Sequence, residues 1–126
     1  MRWKAVFIVA TMLLPQAAIA DGMSTASGVW MRDDGNARVR IAPCGQSLCA
    51  TNLWIGDTSK GEAVGDKLIM TVTPKSATTL TGKAYDPKRN LTYSITLQVT
   101  GKRLKTKGCV VGGLLCRDVV WTPAKP

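Results

Sequence analysis

The chain reads as an all-β domain: a small eight-stranded antiparallel meander that closes into a disulfide-stapled barrel. Three observations predict this. Short apolar-polar alternating segments are separated by turn residues about every eight to twelve positions. No stretch carries a helical period. Four cysteines, Cys44, Cys49, Cys109 and Cys116, stand astride two tight turns.

The elements follow in order. Strand one is Gly28–Arg32, ended by Asp33-Asp34-Gly35-Asn36, where Gly and Asn accept positive φ. Strand two, Ala37–Ala42, sets Val39 and Ile41 on one face and Arg38 and Arg40 on the other. Residues 43–48 form a tight turn into strand three, which runs to Ile55, and Gly56–Asp66 is a polar loop. Strand four is Lys67–Thr73 and strand five Thr78–Tyr85, followed by Asp86-Pro87. Strand six has the cleanest pattern: Leu91, Tyr93, Ile95, Leu97 and Val99 alternate with polar residues, so a period of two puts all five on one sheet face. Strand seven is Arg103–Val111, Gly112-Gly113 turns, and strand eight is Leu114–Thr122. A meander leaves two open edges unless its ends pair, and barrel closure removes both. A two-sheet sandwich satisfies the same pattern.

The cysteines bear on register. A two-residue turn at Gly112-Gly113 opposes Cys109 and Cys116, and a turn centred on Gln46-Ser47 opposes Cys44 and Cys49. Opposed residues lie within disulfide reach. Two local bonds are therefore expected, each contributing roughly 2–2.5 kcal/mol in the loop-entropy account; a long-range pairing such as Cys44–Cys116 would contribute roughly 4–4.5 kcal/mol, and stability alone does not choose the connectivity.

Residues 1–20 have the form of a targeting segment. Arg2 and Lys4 give a positive start, Ala5–Leu14 is an apolar run, and small residues lead to Ala20. The run is shorter than the about 20 residues of a membrane span. The expectation is a signal peptide, a flexible lead at 21–27, one domain at 28–123 and a tail at 124–126, exported to the periplasm or secreted. The even cysteine number suits that compartment. The formal charge is +9 and falls by two, to +7, without Arg2 and Lys4. Such a balance favours anionic surfaces without specifying a partner.

The chemistry is sparse. Absence of histidine removes a Ser-His-Asp triad and histidine-based metal sites. Oxidised cysteines are poor nucleophiles, and there is no phosphate-binding glycine loop. Asp33-Asp34 and Asp86-Pro87 read as turns before they read as catalytic carboxylates. Asp57, Glu62 and Asp66 lack the spacing of a calcium loop. Neither an enzyme nor a cofactor is expected. Lys102, Arg103, Lys105 and Lys107 form a basic stripe, either a solubilising outer face or a contact for an anionic surface. No aromatic platform is interleaved with the stripe, which argues against nucleic acid.

Six segments together carry a family resemblance: Gly28-Val29-Trp30, Cys44-Gly45-Gln46-Ser47-Leu48-Cys49-Ala50, Ala84-Tyr85-Asp86-Pro87, Leu91-Thr92-Tyr93-Ser94, Gly108-Cys109 and Trp121-Thr122. They resemble the bacterial domain-of-unknown-function family 2147, small exported proteins. The resemblance implies a lipocalin- or calycin-like barrel and supplies no catalytic residue. Pro123 after Trp121-Thr122, and a loop 56–66 without an asparagine-proline stretch, depart from many relatives. In similar barrels a Gly-x-Trp strand lays its indole across the closed end, so Trp30 is expected there with Trp121 nearby, both as structural aromatics. Three functions remain in view. The first is a monomeric module that takes one small apolar or amphipathic ligand, with Gly82 and Ala84 leaving room inside. The second is an inhibitor of an envelope hydrolase, inserting loop 56–66 or the turn Gly45–Leu48. The third is a basic surface that meets anionic envelope components.

Overall fold

The computed structural model describes residue 23 and residues 25–110 and 112–126. The expected targeting segment lies outside the described residues. Eight strands follow one another: β1 (Gly28–Arg32), β2 (Ala37–Cys44), β3 (Ser47–Ile55), β4 (Lys67–Pro74), β5 (Thr79–Asp86), β6 (Leu91–Thr100), β7 (Arg103–Val110) and β8 (Leu115–Pro123). Each pairs antiparallel with the next, and β1 pairs with β8, so the sheet is a closed barrel rather than a sandwich. The closing ladder joins Trp30 to Pro123, Met31 to Thr122 and Arg32 to Trp121.

Alternation sets the core. Ala37, Val39 and Ile41 on β2, Met70 and Val72 on β4, and Ile95, Leu97 and Val99 on β6 are buried. Their neighbours on the same strands face outward, as a pleat requires. Leu91 departs from its expected company and is 45% exposed. It opens β6 at the rim, where the opposite wall no longer reaches it.

A meander puts alternate turns at alternate ends. The β1–β2, β3–β4, β5–β6 and β7–β8 connections share one end, here the mouth. The other three connections and both ends of the strand array share the base. The base is filled. The Ser27 amide donates to the Met23 carbonyl, closing one helical turn. Ala26 in that turn is fully buried, and the Trp30 indole donates to its carbonyl at 2.9 Å. Leu48, Leu80, Val99 and Leu104 pack behind it.

Both disulfides are present, Cys44–Cys49 and Cys109–Cys116, and no free cysteine remains. Around Gly112-Gly113 the register is the expected one, with Cys109 opposite Cys116. The other hairpin corrects the expectation by one place. Cys44 opposes Ser47, and Ala42 opposes Cys49, so the turn is Gly45-Gln46 and the bridge runs diagonally over 5.7 Å between Cα atoms. Gly45, at φ +66°, occupies the first turn position, where a glycine meets no steric penalty. Replacing Cys44 and Cys49 together by alanine is expected to lower unfolding free energy by about 2 kcal/mol, read by urea denaturation. A loss near 4 kcal/mol or more would mean that the bridge does more than close a short ring.

A second correction concerns Gly82. It shares the inward face with Leu80 and Ala84 but leaves no room for a ligand. A Cβ there would run into the Thr71 carbonyl oxygen and lie 2.9 Å from the Val72 Cα, both backbone of β4. Its missing side chain is occupied by the neighbouring strand.

Candidate functional site

Above the filled base the barrel holds a cavity of about 450 Å³. Its deep wall is apolar, with Val39, Ile41, Met70, Ala84, Ile95 and Leu97. Trp121 also lines it, half-buried, its indole donating to Thr106 Oγ1 at 2.9 Å. Trp121 and Trp30 are therefore divided between levels: Trp30 belongs to the base, and Trp121 lies against the cavity. Ala84 does provide space, as its small side chain is buried on the cavity wall.

The upper wall is charged, and parity explains why. Arg32 is two residues from inward Trp30, Arg117 is two from Val119, and Asn52 is two from Ala50, so each points inward at the level where the strands end. Arg32 is enclosed, with its side chain 11% exposed, as is that of Asp86. Its Nη1 and Nη2 donate to the two Glu62 oxygens at 2.9 and 3.1 Å, and its Nε donates to Asp34 at 2.9 Å. Burial works against the Arg32 charge, but the two carboxylates outweigh it and raise the pKa.

Glu62 belongs to the β3–β4 loop, and that loop is strapped over the mouth. The Asn36 side chain exchanges hydrogen bonds with the Asp57 backbone at 2.6 and 3.1 Å. Asn52 Nδ2 donates to the Ala63 carbonyl at 3.1 Å, while its amide donates to the Asp66 carbonyl. From the β5–β6 turn, Lys88 and Arg89 donate to the Gly61 carbonyl, and Lys88 also pairs with Asp66 at 3.2 Å. Asp86 is buried and holds that turn by accepting from the Lys88 and Arg89 amides and from Arg89 Nη1. The Arg89 pKa is raised by the Asp86 hydrogen bond.

The straps carry a pH signature. The Arg32 hydrogen bond holds the Asp34 carboxyl below the usual carboxylate range. Burial alone would raise the Asp66 pKa, but the Ala63 amide and Lys88 draw it down on balance. A lowered carboxylate pKa contributes stability above its unfolded value, near 3.9, and that contribution is lost as pH falls through the folded value. Amide protection in residues 61–66 is therefore expected to stay level from about pH 5 to 8 and to fall only below about pH 4. Loosening between pH 5 and 7, read by hydrogen exchange, would show that these carboxylates do not fasten the loop.

The remaining sequence candidates lie elsewhere. Lys102, Arg103, Lys105 and Lys107 are exposed at the base and along the outer face of β7, away from the cavity. No group of three or more metal-ligating side chains occurs among the described residues. None of their helices is long and apolar enough to cross a membrane. Two disulfides suit an oxidising compartment outside the cytoplasm. Sequence reasoning missed Arg32, Glu62 and Arg117 at the mouth. The inward parity of Arg32 and Arg117 was the available signal.

The architecture and its lidded interior define the class: a small, closed, eight-stranded antiparallel barrel with one filled end and one open end. A solved structure of a redesigned β-barrel is similar, with a TM-score of 0.54 at 15% identity over 84% of this chain and 96% of that one. At that identity the likeness concerns the fold alone. The chain belongs to the bacterial family described as DUF2147, uncharacterized proteins conserved in bacteria, which it matches over residues 28–123. No curated protein matches it.

Proposed function

We propose that this chain is an exported, non-enzymatic binding protein for one small amphipathic molecule. The observation that carries the reading is the cavity of about 450 Å³, apolar below and charged at its rim. Ligand pockets are commonly about 300–1,000 Å³, mostly apolar, with a few placed polar groups. The hydrocarbon part of the ligand lies against Met70, Ala84, Ile95 and Trp121, and its polar end meets Arg32, Asn52 or Arg117 at the mouth. The inhibitor alternative has weaker support. Loop 56–66 is largely exposed, but it is bound across its own barrel by Asn36, Arg32, Lys88 and Arg89 as the cover of the cavity.

Titration with the naphthylamine dye N-phenyl-1-naphthylamine tests the cavity. The protein is expected to enhance its fluorescence saturably, and Ala84→Phe, which fills the wall, to weaken binding at least about tenfold. The variant itself should lose about 1–3 kcal/mol from overpacking, so it is first checked for a native far-UV spectrum. No saturable binding, or equal binding by a folded Ala84→Phe, would overturn the reading.

A further inference from the structure

Charge is sorted along the barrel axis. The acidic residues all lie at the mouth end: Asp33 and Asp34 in the β1–β2 turn, Asp57, Glu62 and Asp66 in the β3–β4 loop, Asp86 ending β5, and Asp118 near the start of β8. Asp21 is the one acidic residue outside the described set. The four ion pairs among the described residues are also at the mouth. The base is different. Lys75 in the β4–β5 connection, Lys102 and Arg103 at the β6–β7 turn, and Lys125 after β8 are exposed there. Lys105 and Lys107 extend the same charge up the β7 wall. On that wall Asp118 of β8 stands opposite Lys107, whereas among the described residues no Asp or Glu lies beside Lys75, Lys102, Arg103 or Lys125 at the base itself.

Apolar exposure is sorted the opposite way. Trp54, Val64, Tyr85, Leu91, Leu114 and Leu115 are the large exposed hydrophobics, and each lies in or beside a mouth connection. The base thus offers spread cations without an apolar anchor.

We propose that the base is a docking surface for an anionic lipid bilayer, which holds the barrel with its mouth turned away from the membrane. A protein partner would be recognised through buried aromatic or aliphatic anchors, and the base exposes none. Single-stranded nucleic acid calls for stacking platforms, also missing there. A field of anionic headgroups needs only distributed Lys and Arg within a Debye length of the surface. At the mouth the seven carboxylates are matched by Arg32, Lys60, Lys67, Lys88, Arg89 and Arg117, so that end has little net charge with which to attract an anionic surface. This inference does not depend on what occupies the cavity.

Vesicle co-sedimentation tests it, using protein recovered from cells that express the full chain. Binding is expected to phosphatidylcholine vesicles containing phosphatidylglycerol, to vanish near 0.5 M salt where the Debye length is about 4 Å, and to be absent with phosphatidylcholine alone. Each Lys or Arg near an anionic surface contributes about fivefold in partitioning, so Lys102→Gln with Arg103→Gln should weaken binding about 30-fold. Lys60→Gln with Lys67→Gln, the same charge change at the mouth, should alter it less than about twofold. Leu114→Ser with Leu115→Ser should likewise leave it unchanged. Equal losses from the two charge pairs, dependence on the mouth leucines, or binding to neutral vesicles would overturn the proposal. So would capture by polyglutamate or a DNA oligonucleotide with no vesicle binding.

Discussion

Trp30→Ala is expected to remove about 3–5 kcal/mol of stability, a large share of the about 5–15 kcal/mol typical of a domain. The indole is 6% exposed and stands between the turn that carries Met23, Ala26 and Ser27 and the barrel interior. Its loss opens a cavity at the end that is otherwise packed. It also strands the Ala26 carbonyl, which accepts the indole hydrogen bond from within a fully buried residue. Trp30→Phe separates the two effects. It keeps most of the buried area and leaves the carbonyl unpaired, which costs about 1–3 kcal/mol. Urea denaturation followed by far-UV circular dichroism measures both. An alanine variant within about 1 kcal/mol of the parent would mean that the base does not depend on this side chain.

Gly82→Ala is expected to cost about 3 kcal/mol or more, at or beyond the upper end of ordinary overpacking. The obstruction is backbone rather than a side chain that can rotate away: the Thr71 carbonyl oxygen and the Val72 Cα of β4. Gly82 pairs with Val72 on one side and Ile95 on the other, so relief requires one strand to move while the ladder stays intact. Glycine at such a place marks the close approach of another backbone. Gly108→Ala is the matched control. A Cβ there meets only the Ile95 Cδ1 at 3.8 Å, so that change should fall within about 0.5 kcal/mol of the parent or stabilise it slightly. Equal midpoints for the two variants would remove the steric argument.

The contrast between those glycines shows where sequence reading stops. Both lie at inward positions of alternating strands, and a one-dimensional pattern treats them alike. What separates them is how closely β4 curves over β5, which only closure determines. Strand existence was legible because Val39, Ile41, Ile95 and Leu97 obey a period of two. The Gly112-Gly113 hairpin was legible because two glycines define a two-residue turn. The Gly45 hairpin was not, since a disulfide tolerates opposed and diagonal partners alike, so Cys44 and Cys49 did not select one register. The mouth was least legible. Arg32 and Glu62 are 30 residues apart and meet because the β3–β4 loop folds back over the end of β1.

The seam between β1 and β8 has a kinetic side. Seven of the eight ladders join strands adjacent in the chain, whereas the eighth unites the first strand with the last through three residue pairs. Contacts so distant along the polypeptide are slow to gain, because the intervening chain must be ordered first. Before the ring shuts, β1 and β8 present bare amides and carbonyls to any other nascent molecule. The interval between hairpin formation and ring closure is thus when this polypeptide is most open to strand exchange and aggregation.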